Sequence, residues 1–201
     1  MSDEADEVLA FWFGELSEDG TAKGEVVARW WKKDDAFDDA IRARFGQTLA
    51  RAERGELDGW AQTPRGRVAL VIVLDQFSRN LYRGSPRAFA NDERALALAR
   101  EGVARGEHEA LAPLHAYFLI MPFMHAEDRE AQARCVALFT ALAEAAPNEA
   151  LRATFASGAD FAERHRVIVD RFGRFPHRNE VLGRESSPEE VAFLKEPGSS
   201  F

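Results

Sequence analysis

The run VALVIVL, Val68 to Leu74, sets the tightest limit on what this chain can fold into. Such a segment needs apolar neighbours on nearly every side, yet Asp75 follows it directly. Its β-branched residues suit a buried strand as well as a helix. The flanking segments read as helix and offer no partner strand, and an isolated strand leaves its backbone groups unsatisfied. The run is therefore assigned to a helix, and a helix apolar on most faces belongs at the centre of the molecule. Thr63-Pro64 marks its start, an N-cap followed by proline at the first helical position.

The remaining signals are helical too. Val8, Leu9, Trp12 and Phe13 recur at helical spacing, with Ser2 as N-cap and Gly14 as stop. Gly24 to Lys33 forms a second helix, and Trp30-Trp31 is the tryptophan pair expected at the surface. Asp34 or Asp35 caps a longer helix with Phe37, Ile41, Phe45 and Leu49 on one face, ending at Gly55. Asn91 or Asp92 opens a helix that stops near Gly106. Another runs from Leu111 to Met121, where Pro122 is expected to end it. Ala126 to Ala145 buries Cys135, Leu138, Phe139 and Leu142, and Asn148 starts a helix reaching Phe172. Ser187, Pro188 and Glu190 compose a capping box for a last helix, and the tail from 196 to 201 is expected to be loose.

Short connections between successive helices imply antiparallel hairpins. The expectation is an all-α chain, one domain over residues 1–201. With 201 residues, 46% of them hydrophobic, it has enough apolar surface for one sizeable core. The net charge of −8 disfavours nucleic acid and anionic membrane surfaces as partners. Cys135 is the single cysteine, which fits a reducing, cytoplasmic setting. The acidic N-terminus has no signal-peptide pattern, and VALVIVL is too short to span a bilayer.

Three polar clusters stand where helices end. The first is DQFSRNLYR, Asp75 to Arg83, in which Asp75 and Arg79 share a helix face four residues apart. The second is PFMHAEDRE, Pro122 to Glu130, read as the entry to the next helix. The third is RFGRFPHRNEVLGR, Arg171 to Arg184. Phe77-Ser78-Arg79-Asn80 and Phe175-Pro176-His177-Arg178-Asn179 have a similar texture, allowing one extra residue.

Two readings follow. In one, the clusters are helix-end networks and Asp75–Arg79 is a structural pair. In the other they converge, and Asp75, Gln76, Arg79, Asn80, Arg83, His125, Glu127, His177, Arg178 and Asn179 line a ligand-binding pocket. Arginines there hold a carboxylate or phosphate, and His125 or His177 serves as acid or base near neutral pH. No HExxH motif supports a metal, and GxSxG, GxGxxG and the P-loop pattern are all absent, so neither metal nor cofactor is expected.

The stretch LDQFSRNLYRGSPRAFANDERALALA, with EVLAFWFGE and RWWKKDDAFDDAIRARF before it and MPFMHAED and RFGRFPHRNEVLGR after it, resembles the bacterial family called domain of unknown function 924. Ser78 departs from the family's DQFPRN pattern, while Asp75, Arg79 and Asn80 keep to it. The resemblance implies a tetratricopeptide-like array of helix hairpins with a small C-terminal helical appendage. It implies no reaction. The motif also takes in Phe77, Gly84, Asp128 and Arg171 to Pro176. The partners left open are a small anionic metabolite, or a peptide held in a helical groove.

Overall fold

The computed structural model describes residues 3–201, and among them there are helices and turns but no strand. Helix α1 (Asp3–Phe13) buries Val8, Leu9, Trp12 and Phe13 and stops before Gly14, whose φ of +63° suits glycine. The expected cap at Ser2 lies outside the described residues. Helices α2 (Gly24–Trp31) and α3 (Asp35–Glu53) follow. Asp34 is the cap of α3, accepting from the backbone N–H groups of Ala36 and Phe37.

The apolar run is helical and central. α4 (Pro64–Val71) starts from Thr63, whose hydroxyl accepts from Gly66 N–H. At Ile72 the chain widens into a π-helical stretch, Ile72–Phe77, before returning to α-helix in α5 (Ser78–Leu81). Every residue from Gly66 to Ser78 is buried. The π-helical turn, unforeseen in the periodicity, holds Asp75 and Gln76. Turns of this kind are rare and recur at functional sites.

α6 (Asp92–Ala104) and the single turn α7 (Glu107–Ala110) lead to α8 (Pro113–His125). Pro122 does not end α8, contrary to the expectation drawn from its ring. Interior proline costs roughly 3 kcal/mol. Continuing the helix buries Phe123 and Met124, and a buried side chain of that size contributes about 1.5–3 kcal/mol. The extra turn thus holds, and His125 is the last residue of α8 rather than part of the next helix's entry. α9 (Arg129–Glu144) starts instead at Asp128, which accepts from Ala131 N–H. α10 (Glu149–Phe172) is capped by Asn148, and α11 (Pro188–Phe193) carries the expected capping box.

Successive helices joined by short links pack as hairpins, most extensively α9 on α10, while α8 touches α4, α6, α9 and α10. Gly158 permits the close approach in this layer, since a Cβ there would lie 2.9 Å from both Phe139 and Tyr117. One main core runs from α1 to α10, rich in ring contacts such as Trp12 on Phe118 at 5.5 Å. A smaller core of Ile168, Val169 and Phe175, backed by Phe172 and Phe193, holds the C-terminal segment. The tail closes on this segment. Ser199 is buried, and the Phe201 ring stacks on His165 at 3.7 Å.

Candidate functional site

Asp75 is the hub of the polar network. Its carboxylate has no exposed surface, so each oxygen needs a partner. Oδ1 accepts from Arg79 Nη1 at 2.9 Å and pairs with His125 Nδ1 at 2.7 Å; Oδ2 accepts from Gln76 at 2.5 Å. Burial by itself would raise the Asp75 carboxyl, but Arg79 and His125 outweigh it and hold the group below the usual carboxylate range. The two residues meet because the π-helical turn aims Asp75 at the end of α8, where the helix carried past Pro122 delivers His125.

Arg79 braces two carboxylates. Besides Asp75, it bonds Asp92 bidentately, Nη1 to Oδ1 at 2.9 Å and Nη2 to Oδ2 at 3.0 Å. Arg178 comes in from the short 3-10 turn Pro176–Arg178 in the sequence's third cluster. It donates from Nη1 to His125 O at 3.0 Å and to Asp92 Oδ2 at 3.3 Å. Its guanidinium lies between two rings, 4.6 Å from Phe89 and 4.4 Å from Phe175. Arg178 is 6% exposed, and its buried Nε has no acceptor among the described residues. Burial, then the like charge of Arg79, bring its pKa down to about 10.

Of these groups, Asp92, His125 and Arg178 line a cleft of about 620 Å³, while Asp75 and Arg79 lie behind it. Its walls are the Pro86–Phe89 turn, the start of α6, the link from Ala126 to Asp128, and the segment bearing Arg178 and Leu182. Phe89, Leu96 and Leu182 make much of it apolar, while the largely buried His125 and Arg178 contribute polar lining. Its acids are mostly engaged: Asp92 by Arg79, Glu127 by Arg184 and Phe175 N–H, Asp128 by Ala131 N–H. Glu93 at the exposed mouth has no ion-pair partner among the described residues.

Of the residues expected from sequence, Asp75, Gln76, Arg79, His125 and Arg178 therefore meet in one network, and Glu127 lines the cleft beside it. Four others lie elsewhere. Asn80 and Arg83 turn to Asp38 of α3, at 2.7 Å each. Asn179 is closed off by Ser186, Glu190 and Arg184. His177 sits among Phe175 and Phe201, where burial and then Arg178 lower it to about 4. Alternation of pairs along a short segment sends its members to different partners, a division that residue type does not show. Asp92 and Phe89 both line the cleft; the sequence offers Asp92 only as one of two caps for its helix and gives Phe89 no role. The one sequence signal for Asp92 was a surplus of arginine over nearby acid in the first cluster. Among the described residues there is no group of three His, Cys, Asp or Glu side chains placed to hold a metal ion, and no helix is long and apolar enough to cross a membrane.

The chain matches the family model described as bacterial protein of unknown function DUF924 over residues 8–198. Among solved structures it is similar to a protein of unknown function from Agrobacterium tumefaciens, with 37% identity and a TM-score of 0.78. That similarity covers 95% of this chain and 96% of the other. No curated protein matches.

Proposed function

The chain belongs to the bacterial DUF924 family, a family of unknown function, and we propose that its cleft binds a small molecule through an anionic group at Arg178. The observation that carries this reading is an Arg178 only 6% exposed whose Nε has no acceptor among the described residues, beside an Asp92 whose two oxygens are already bridged by Arg79. A buried cation so thinly compensated is costly. A carboxylate or phosphate entering the cleft brings compensating negative charge to the Arg178 side chain that lines it. Phe89, Leu96 and Leu182 then meet the ligand's apolar body, a mixture typical of small-molecule sites. A reducing cytosolic setting is part of this proposal, and the buried, unpaired Cys135 supports it.

Thermal-shift measurement against a panel of small carboxylates and phosphate esters tests the reading. The expected result is a ligand that stabilises the wild type by about 2–3 kcal/mol at a hundredfold excess over its dissociation constant, and does not stabilise Ala97→Trp, which fills the cleft from an exposed position. Stabilisation that persists in Ala97→Trp sinks the cleft as the binding site.

A second reading is a tetratricopeptide-like array that holds a peptide. The helix-hairpin architecture and the apolar wall of Phe89, Leu96 and Leu182 support it. It separates from the first by its dependence on charge, because a peptide seated on the apolar wall tolerates Arg178→Met and an anion does not.

A further inference from the structure

We infer that His125 is a general base in this cleft, with Asp75 fixing its ring so that Nε2 accepts a proton from a hydroxyl or water held beside the ligand. The inference rests on the binding reading above and adds a proton-transfer role to it. It begins with the tautomer. The Asp75 carboxylate, ionised and fully buried, can only accept a hydrogen bond. His125 Nδ1, 2.7 Å from Oδ1, must therefore carry the proton. In the neutral ring that leaves the Nε2 lone pair free, and Nε2 has no hydrogen-bond partner among the described residues, while the residue lines the cleft.

The charges around the ring fit the task. Asp75 and Arg79 face it from the central helix, Asp92 from the start of α6, Arg178 from the C-terminal segment, and His165 from α10. Burial and then Arg79 lower the His125 pKa, so the ring is neutral and basic in form at pH 7. When Nε2 takes a proton, the positive charge forms against a carboxylate already in place, and no group has to move. The O–H bond breaks, its proton bonds to Nε2 and the electron pair stays on the oxygen, and Arg178, bonded to the His125 backbone carbonyl, stands close enough to offset the negative charge. Two arguments outside electrostatics agree. The carboxylate sits on a π-helical turn, an unusual local structure. Asp75 and His125 also come from segments fifty residues apart, so no local helix-end need explains their meeting.

The test uses diethyl pyrocarbonate, which acylates an unprotonated imidazole nitrogen, with each site followed by peptide mass spectrometry. His108 is an internal standard, because its side chain is 14% exposed against 15% for His125 and no carboxylate bonds its Nδ1. The expected result is that His125 is modified faster than His108 in wild type. Asp75→Asn should abolish that advantage by about tenfold or more, since an amide can donate to Nδ1 and shift the proton to Nε2. Equal or slower modification of His125 in wild type overturns the inference. Because Asp75→Asn removes a buried charge and can unfold the chain, the tautomer is also read directly on wild type by long-range proton–nitrogen-15 correlation at pH 7. A ring protonated at Nδ1 alone is required; a ring protonated at Nε2 overturns the role whatever the variant does. A cleft that binds anions while His125 carries its proton on Nε2 defeats the base and spares the binding site. A reactive His125 in a protein that no ligand stabilises does the reverse.

Discussion

Arg79 and Arg178 occupy corresponding places in two similar segments, FSRN and FPHRN, and both bond Asp92, yet their surroundings differ sharply. Arg79 lies between two carboxylates, with four hydrogen bonds to Asp75 and Asp92. Arg178 lies between two phenyl rings, takes its share of Asp92 at 3.3 Å, and keeps a buried nitrogen without an acceptor. The asparagines that follow run in parallel, Asn80 to the Asp38 carboxylate and Asn179 to that of Glu190. Like residues in like order thus make one brace and one unfilled site. Partner supply separates them: the first segment has Asp75 within its own helix, whereas the acids that pack against the third, Glu190 and Glu127, are taken by Arg174 and Arg184.

The sharpest way to break this comparison is to replace each arginine with methionine. Arg79→Met strands a buried Asp75 and a half-buried Asp92, and should lower the unfolding free energy by about 3–5 kcal/mol in urea denaturation. Arg178→Met leaves Asp92 paired with Arg79 and puts an apolar chain between two rings, so its cost should stay within roughly 1.5 kcal/mol, while the ligand response disappears. Equal costs would erase the distinction between brace and site.

Acid titration probes the third segment's surroundings. Burial first of all lowers His115 to about 4, His165 to about 3 and His177 to about 4, from 6.5. Each ring is neutral in the fold and takes a proton more readily once unfolded. The stability they contribute is therefore complete above pH 6.5 and is lost as the pH falls toward 4, on the order of 3 kcal/mol for His165 by pH 4. His165→Phe keeps a ring against Phe201, and its stability should fall less steeply between pH 6.5 and 4 than that of wild type. An unchanged slope would show that His165 does not take up its proton on unfolding in that range.

The smallest effect is expected at the far end of the same segment. Ser187→Ala removes the hydroxyl that accepts from Glu190 N–H at 3.2 Å and should cost about 1 kcal/mol. Glu190 keeps Arg174, which holds its carboxyl down to about 2, so the ligand response should not change. A lost response would tie the appendage to the cleft.

Local rules carried far along the chain. Thr63, Asp34, Asn148 and Ser187 cap the helices assigned to them, and Phe37, Ile41, Phe45 and Leu49 line one buried face. The rules failed at Pro122, where a local penalty met a larger gain from burying Phe123 and Met124, and at Ile72–Phe77, where the helix widens under tertiary packing. Both failures bear on the site, because together they bring His125 to Asp75.

The sequence by itself determined that the chain is helical, that Val68–Leu74 lies at its centre, and that Asp75 needs Arg79. Those conclusions depend on spacing, caps and the cost of a buried charge, all of which act within a few residues. Only the tertiary structure decided that Asp92 and Phe89 belong to the cleft, that Asn80 and Arg83 face Asp38 instead, and that Arg178 goes without a full complement of partners. A buried charge must be compensated, but which distant group compensates it depends on how whole helices pack.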